Sequence, residues 1–484
     1  MTSSLNCLAT ENINSHDKDV RFNFQGDFDS HPREFRAGLP NNDNFLPFNQ
    51  NICTNVGNPQ KLGQKPITFF RQVLSLLQYP HLLENQDVLL NKLGYKLDVL
   101  ERAKILLKAI GSLGAYTATN GIPQVRKSIA KFLEKRDGHP AEPADIYLSS
   151  GASSAMVNLL NVICDKPATG VLVPFPQFPL HTAMVSRLGS KLVPYSISGP
   201  RNSETDFEAI KSAYKIAKKT GTDVRAMVII NPGNLTSKCF SVEDIEAIID
   251  LAATERLVII TDEAYQNNIF EDKFYSFKRV LRDLQNLYPN KYDNVELASI
   301  HSVSMGMVGE GGQRGGFFEL VGFDPAVQFQ IYKLLSFTNY CPSIAQCLIE
   351  LMVNPPQEDS ASYELYEKEY CSIFVDLKEK SFALYEVLKQ MEGVECSEPQ
   401  GSMYLFPYFK LPTKLVEAAK KEGRSPCEFY ASSLFEATGI CVVPSLGFGQ
   451  EEGTLHFRAT PLAFDTDWMS VLQKFHNEFL KKFH

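Results

Sequence analysis

The chain predicts an α/β fold, and two patterns carry that expectation. Short apolar runs of parallel-strand type alternate with stretches of helical spacing up to about Val321. The clearest of these runs, Leu257-Val258-Ile259-Ile260-Thr261, ends in Asp262, a carboxylate at the strand edge where α/β sheets place ligands. At 484 residues the chain is long enough for two or three domains with real cores.

Composition narrows the class. A hydrophobic content of 44% with 21% charged residues is ordinary for a soluble globular protein. A formal net charge of −8 argues against nucleic acid or an anionic membrane as the main partner. No apolar run approaches the roughly 20 residues that span a bilayer. The first residues hold Glu11, Asp17 and Asp19 without an apolar run, which fits neither a secretory signal nor an acid-poor presequence, so a cytoplasmic address is expected. The ten cysteines are scattered singly with no C-x-x-C pair, a pattern of buried thiols in a reducing compartment rather than a disulfide framework or a zinc site.

Residues 1–50, rich in Asn and Asp and without period, read as a partly disordered arm. Order begins with the turn-forming run Asn55 to Gln60 and continues to Thr68, a candidate cap for a helix carrying Phe70, Val73, Leu74 and Leu77. Ser112 to Tyr116 precede a helix over Pro123–Lys135. A strand over Asp145–Leu148 runs into Ser149-Ser150-Gly151-Ala152-Ser153-Ser154 and then an apolar helix, Met156–Ile163. That turn offers backbone N–H groups to an anion, or is simply a serine-capped βα unit. The strand Val171–Val173 leads to Pro174-Phe175-Pro176-Gln177-Phe178, and His181 at the following helix start reads as structural. Ala226–Ile230 leads to Asn231-Pro232-Gly233-Asn234-Leu235-Thr236-Ser237-Lys238. Asp262 and Glu263 end their strand at the ligand edge, or cap the next helix.

The segment His301 to Gly316 comes directly after the strand Leu297–Ile300 and holds two serines, six glycines and Arg314 in sixteen residues. Glycines let backbone approach a ligand, and Ser302, Ser304 and Arg314 are groups that hold a phosphate; the alternative is a flexible surface loop. Next come helices over Pro325–Leu335 and Ser343–Val353, then a surface turn at Pro355–Ser360 and a long amphipathic helix, Tyr363–Met391, of the kind that bridges into a second domain. Beyond it lie an edge strand over Gly401–Pro407, a strand over Ile440–Val443, and the run ending Leu455-His456-Phe457-Arg458.

These motifs, from about residue 50 to the C-terminus, resemble those of fold-type-I pyridoxal-phosphate aminotransferases in their alanine-aminotransferase form. There the glycine-rich segment reads Ser-x-Ser-Lys-Gly…Gly-x-Arg-Gly-Gly. Met305 stands where the family has the lysine that bonds the cofactor, and a thioether neither forms an imine nor carries a proton. The resemblance implies that Ser302, Arg314 and the Gly151-Ala152-Ser153 turn hold the cofactor phosphate, with Tyr116 reaching it across a dimer interface. It places Phe178 on the pyridine ring, Asp262 at the ring nitrogen, and Asn234 and Tyr265 at the 3′-oxygen. Gly57 lies at the substrate mouth, and Arg458 clamps the substrate carboxylate. Leu235 and Ser237 replace a proline and a glycine, so the turn is expected to relax to trans and shift Asn234. With Gly311, Leu446 and Pro461 also departing from the pattern, the change at Met305 reads as drift rather than a single engineered substitution.

The implied fold is a large α/β domain (91–355) with a mostly parallel seven-stranded sheet, an N-terminal segment (51–90) joining a smaller C-terminal α/β domain (356–484), and a homodimer. The implied chemistry moves an amino group from L-alanine to 2-oxoglutarate, giving pyruvate and L-glutamate. With Met305 in place, a degenerate aminotransferase is expected. The alternatives are an enzyme that uses pyridoxal or pyridoxamine phosphate without a covalent link, and a non-catalytic regulatory partner of an active paralogue.

Overall fold

The computed structural model describes residues 51–55, 57–176, 179–197, 206–270, 273–337, 341–448, 455–463 and 466–483. The arm expected over residues 1–50 lies outside these. The first strand, β1 (Ile52–Cys53), belongs to the small domain. The large domain is built on seven strands: β2 (Ile146–Ser149), β3 (Thr169–Phe175), β4 (Lys191–Ser196), β5 (Asp223–Ile230), β6 (Val258–Asp262), β7 (Leu297–Ser302) and β8 (Gly316–Val321). Their spatial order is β2-β8-β7-β6-β5-β3-β4, parallel throughout except that β8 runs antiparallel to both neighbours. This is the mostly parallel seven-stranded sheet the sequence implies.

The central strands are apolar on both faces because helices cover both. Met227, Ile229, Ile259 and Leu297 face the helices Asp206–Lys219, Val242–Glu255 and Phe277–Leu287. The alternating residues Ala226, Val228, Ile260, Ala298 and Ile300 face the helices Ala152–Ile163, Pro179–Arg187 and Pro325–Phe337. Each large side chain so buried contributes about 1.5–3 kcal/mol. A third cluster joins the helix Thr68–Gln78 to Leu97–Ile110, Pro123–Asp137 and Ser343–Val353. Thr68 does not cap its helix. Ile67 holds the cap position, and the Glu369 carboxylate accepts from the Thr68 N–H at 2.8 Å and hydroxyl at 2.6 Å.

The small domain packs the C-terminal half of the helix Tyr363–Gln390 and the helices Pro426–Thr438 and Asp467–Lys481 around a second core. Its antiparallel sheet is ordered β12-β13-β10-β9, with β9 (Val394–Glu395), β10 (Tyr408–Phe409), β12 (Val443–Pro444) and β13 (Leu455–Arg458). The remaining strand, β11 (Ile440–Cys441), pairs in parallel with β1. Two expectations are corrected here. The strand expected over Ile440–Val443 divides between two sheets. The edge strand expected over Gly401–Pro407 is reduced to bridges at Gly401 and Leu405, because Ser402 turns the backbone to φ +66°.

Of the cysteines, Cys164, Cys341, Cys347 and Cys427 are buried as expected, whereas Cys53, Cys239, Cys396 and Cys441 are partly accessible and Cys371 is exposed.

Beneath the sheet the charges are paired. The Lys278 amine is fully buried and donates to Glu319 at 2.6 Å. Arg136 donates to Asp137 at 2.7 Å and to Glu263 at 3.2 Å. Glu263 also accepts from the Phe277 N–H at 3.2 Å, at the first turn of the next helix. Ser276 caps that helix, its hydroxyl accepting from the Arg279 N–H at 3.0 Å, and Glu263 adds a bond to the first-turn N–H. Asp262, on the opposite side of the strand, points to the ligand edge instead.

Candidate active site

The carboxyl ends of β5, β6 and β7 lie side by side and deliver Asn231, Asp262 and Ser302 to one rim. The Asp262 carboxylate accepts one hydrogen bond, from the Ala264 N–H at 3.1 Å. Burial pushes its pKa up to about 6, and that single donor lowers it only in part. Such a carboxylate is stabilised by any cation brought beside it.

At the end of β2 the chain turns at Gly151 (φ +107°) into the helix Ala152–Ile163. A Cβ on Gly151 would lie 3.1 Å from an Arg314 Nη2, so this glycine lets the guanidinium come against the helix start. Arg314 donates to the Ser150 carbonyl at 2.9 Å and the Gly311 carbonyl at 3.1 Å. The buried Ser302 hydroxyl accepts from the Ser304 N–H at 3.3 Å. Arg314 and the Ser304 hydroxyl thus both lie against Gly151, at the start of a helix whose first-turn amides are those of Ala152 and Ser153, and helix starts of this kind attract anions.

Asn234 and Tyr265 are joined directly: the Asn234 amide donates to the Tyr265 hydroxyl at 3.0 Å. Its Oδ1 accepts from Arg458 at 3.5 Å. The Asn234–Leu235 peptide is trans, in keeping with the loss of proline, but Asn234 is not displaced from Tyr265. Two features explain this. Ser237 adopts a left-handed backbone, at φ +57°, a conformation that favours glycine, and its hydroxyl bonds the Tyr404 carbonyl. Leu235 is buried against Val443 and Phe448, which anchors the turn to the small domain.

Arg458 is 3% exposed and donates to the Asn55 carbonyl at 3.1 Å. Its guanidinium lies 4.3 Å from the Tyr404 ring centre and 5.0 Å from that of Phe448. Its Nε has no hydrogen-bond partner among the described residues. A buried donor left open in this pocket is what a carboxylate would satisfy. Gly57 closes the pocket's other side, where a Cβ would collide with the Tyr404 hydroxyl. Tyr404 and Asn55 were missed as site residues. The signal for Tyr404 was an aromatic inside a supposed edge strand, which carries no chemistry until the fold brings it to Arg458.

Met305 follows Ser304 and packs, half-buried, on the cluster of Leu62, Tyr265, Met403 and Tyr404. Of the other predicted positions, Tyr116 stands on the surface at 94% exposure and Phe178 lies outside the described residues. His181 is buried in the helix Pro179–Arg187 and burial lowers its pKa to about 4, which suits the structural role expected of it. Among the described residues, no cluster of three or more His, Cys, Asp or Glu side chains is placed to hold a metal ion, and no helix is long and apolar enough to cross a membrane.

A buried carboxylate at the carboxyl end of a parallel strand, an arginine and a serine against a neighbouring helix start, and a buried arginine beyond are the outline of a pyridoxal-phosphate fold-type-I protein. The chain belongs to the family of class I and II aminotransferases, which matches residues 87–466. Within that family it is alanine-aminotransferase-like. It is 42% identical to a Saccharomyces cerevisiae protein named inactive alanine aminotransferase, over 98% of this chain and 95% of that one. It is 44% identical to the mitochondrial alanine aminotransferase of the same yeast, over 98% of this chain and 81% of the relative. The fold is shared with an alanine aminotransferase from Pyrococcus furiosus, with a TM-score of 0.69 at 20% identity over 92% of this chain and 95% of that one. The family's cofactor is pyridoxal phosphate, its substrates are amino acids and 2-oxo acids, and its members are typically dimers.

Proposed function

We propose that this chain is a degenerate alanine aminotransferase that binds pyridoxal or pyridoxamine phosphate reversibly, without a covalent bond, and has lost lysine-dependent transamination. The observation that carries the reading is Met305, a thioether set between Ser304 and Gly306 beside an otherwise assembled cradle. The residues present fit the cofactor. Arg314, Ser302 and the amides at Ala152 and Ser153 would hold its phosphate. Asp262 would meet the ring nitrogen, and Asn234 and Tyr265 the 3′-oxygen. When bound, the group supplies an electron sink that acidifies the amino-acid Cα–H. Arg458 would hold the carboxylate, while position 305 offers no group to take up the Cα proton. The exposed Tyr116 is suited to a contact made to a second subunit.

Borohydride treatment of the cofactor-loaded protein, followed by intact mass measurement, is expected to show no pyridoxyl adduct. Thermal stability should rise with saturating cofactor and should do so much less in Arg314→Ala. A stoichiometric adduct on any lysine defeats the reading, as does the lack of a thermal shift. Slow transfer from alanine to 2-oxoglutarate in excess cofactor, without an adduct, would favour a non-covalent enzyme instead.

A further inference from the structure

The N-terminal strand β1 carries a feature that the site does not use. Its two residues pair in parallel with β11, Ile52 opposite Ile440 and Cys53 opposite Cys441. Paired positions on neighbouring strands place their side chains on one face, and successive residues alternate between faces. Ile52 and Ile440 both pack into the small-domain core. Cys53 and Cys441 therefore share the opposite face, and Cys53 packs there on the cluster that holds Met305, Tyr265 and Tyr404.

Neighbouring strands lie about 4.7–4.9 Å apart, inside the roughly 4.4–6.8 Å range of Cα separations that a disulfide spans. Neither cysteine is in a disulfide, and both are partly accessible. Burial, with the nearby Cys53 adding to it, pushes the Cys441 thiol up to about 12. Cys441 therefore holds little thiolate and enters the exchange slowly.

The residues just beyond β1 form one wall of the arginine pocket. The Thr54 N–H and hydroxyl both donate to the Cys441 carbonyl, at 3.0 and 2.7 Å. The Thr54 carbonyl accepts from Thr460, the Asn55 carbonyl accepts from Arg458, and Gly57 abuts Tyr404. A two-residue strand held by few hydrogen bonds thus carries that wall, and such short edges open easily.

We propose that Cys53 and Cys441 form a redox-modifiable dithiol site whose disulfide, made by exchange with a small disulfide such as oxidised glutathione, clamps this wall onto the small domain. The step balances as an exchange. One thiol, as its thiolate, attacks a glutathione sulfur and releases one glutathione thiol, leaving a mixed disulfide. The second cysteine displaces the other glutathione. The two protein thiols lose two electrons and two protons in all, and one glutathione disulfide becomes two glutathione thiols.

The test uses the full chain incubated with oxidised glutathione until the exposed Cys371 is fully modified, then alkylated, digested and analysed by mass spectrometry. A peptide pair joined through Cys53 and Cys441 is expected, and it disappears on reduction. Amide exchange at Thr54 should slow at least about tenfold in the oxidised wild type and remain unchanged in Cys53→Ser and in Cys441→Ser. Using both serine variants keeps the test informative if one folds poorly. Mixed disulfides alone at Cys53 or Cys441, with Cys371 fully modified, would overturn the site. A bridge that leaves Thr54 exchange unchanged would overturn the clamp.

Discussion

Met305→Lys tests the proposal that this chain is an aminotransferase whose cofactor-bonding lysine is missing at position 305. The new side chain would enter a half-buried position against Leu62, Tyr265, Met403 and Tyr404. Desolvation there lowers a lysine pKa and favours the neutral, nucleophilic amine. A positioned general base contributes about 10²–10⁴-fold. That gain is realised only if the other groups are already in place, since a misplacement of about 1 Å costs about 10²-fold. The substitutions at Leu235 and Ser237 predict such a misplacement at Asn234. The structure keeps Asn234 at 3.0 Å from the Tyr265 hydroxyl and 3.5 Å from Arg458.

Met305→Lys alone is therefore expected to give a borohydride-trappable cofactor bond and to raise alanine-to-2-oxoglutarate transfer by about 10²–10⁴-fold over the parent chain. Ser237→Gly would relieve a left-handed serine at φ +57°, a strain of about 1 kcal/mol, but would also remove the hydroxyl's bond to the Tyr404 carbonyl, so it should change the rate by less than about tenfold. Leu235→Pro would strip a buried contact with Val443 and Phe448 and should not help. The assay is pyruvate formation in a coupled spectrophotometric measurement, with intact mass on the reduced sample. A stoichiometric adduct with a rate gain below tenfold would refute the reasoning, because it would show that the retained geometry is not competent.

Two further outcomes test the interior. Lys278→Met should lower stability by about 3–5 kcal/mol in urea denaturation, because it leaves the buried Glu319 without its partner, whereas Lys278→Met with Glu319→Leu should recover most of that loss. The raised Asp262 carboxyl holds its proton more tightly in the folded chain than in the unfolded one. The stability this contributes is complete below the ordinary carboxyl range and is lost as pH rises through about 6. Without cofactor, Asp262→Asn should therefore match the parent at about pH 4 and exceed it near neutral pH by on the order of 1–3 kcal/mol, read from melting temperature against pH, while its cofactor affinity falls.

The sequence by itself determined the strand-and-helix order, the position of Asp262 at a strand end, and the chemistry absent at Met305. These are local facts: an apolar run announces its strand, and a side chain announces whether it can form an imine or move a proton. It also placed Arg458, Gly151 and Arg314 in motifs whose spacing survives. The tertiary structure alone decided what a one-residue change does to a turn. Leu235 and Ser237 looked like damage in the sequence, yet packing against Val443 and Phe448 and a bond to the Tyr404 carbonyl hold Asn234 beside Tyr265. Tyr404, Asn55 and the Cys53–Cys441 pairing were equally illegible. Each takes its meaning from a partner far along the chain, Tyr404 from Gly57 and Arg458, Asn55 from Arg458, and Cys53 from Cys441. Distant contacts of this kind are set by how the N-terminal segment packs onto the small domain, and a reading of local pattern has no access to that.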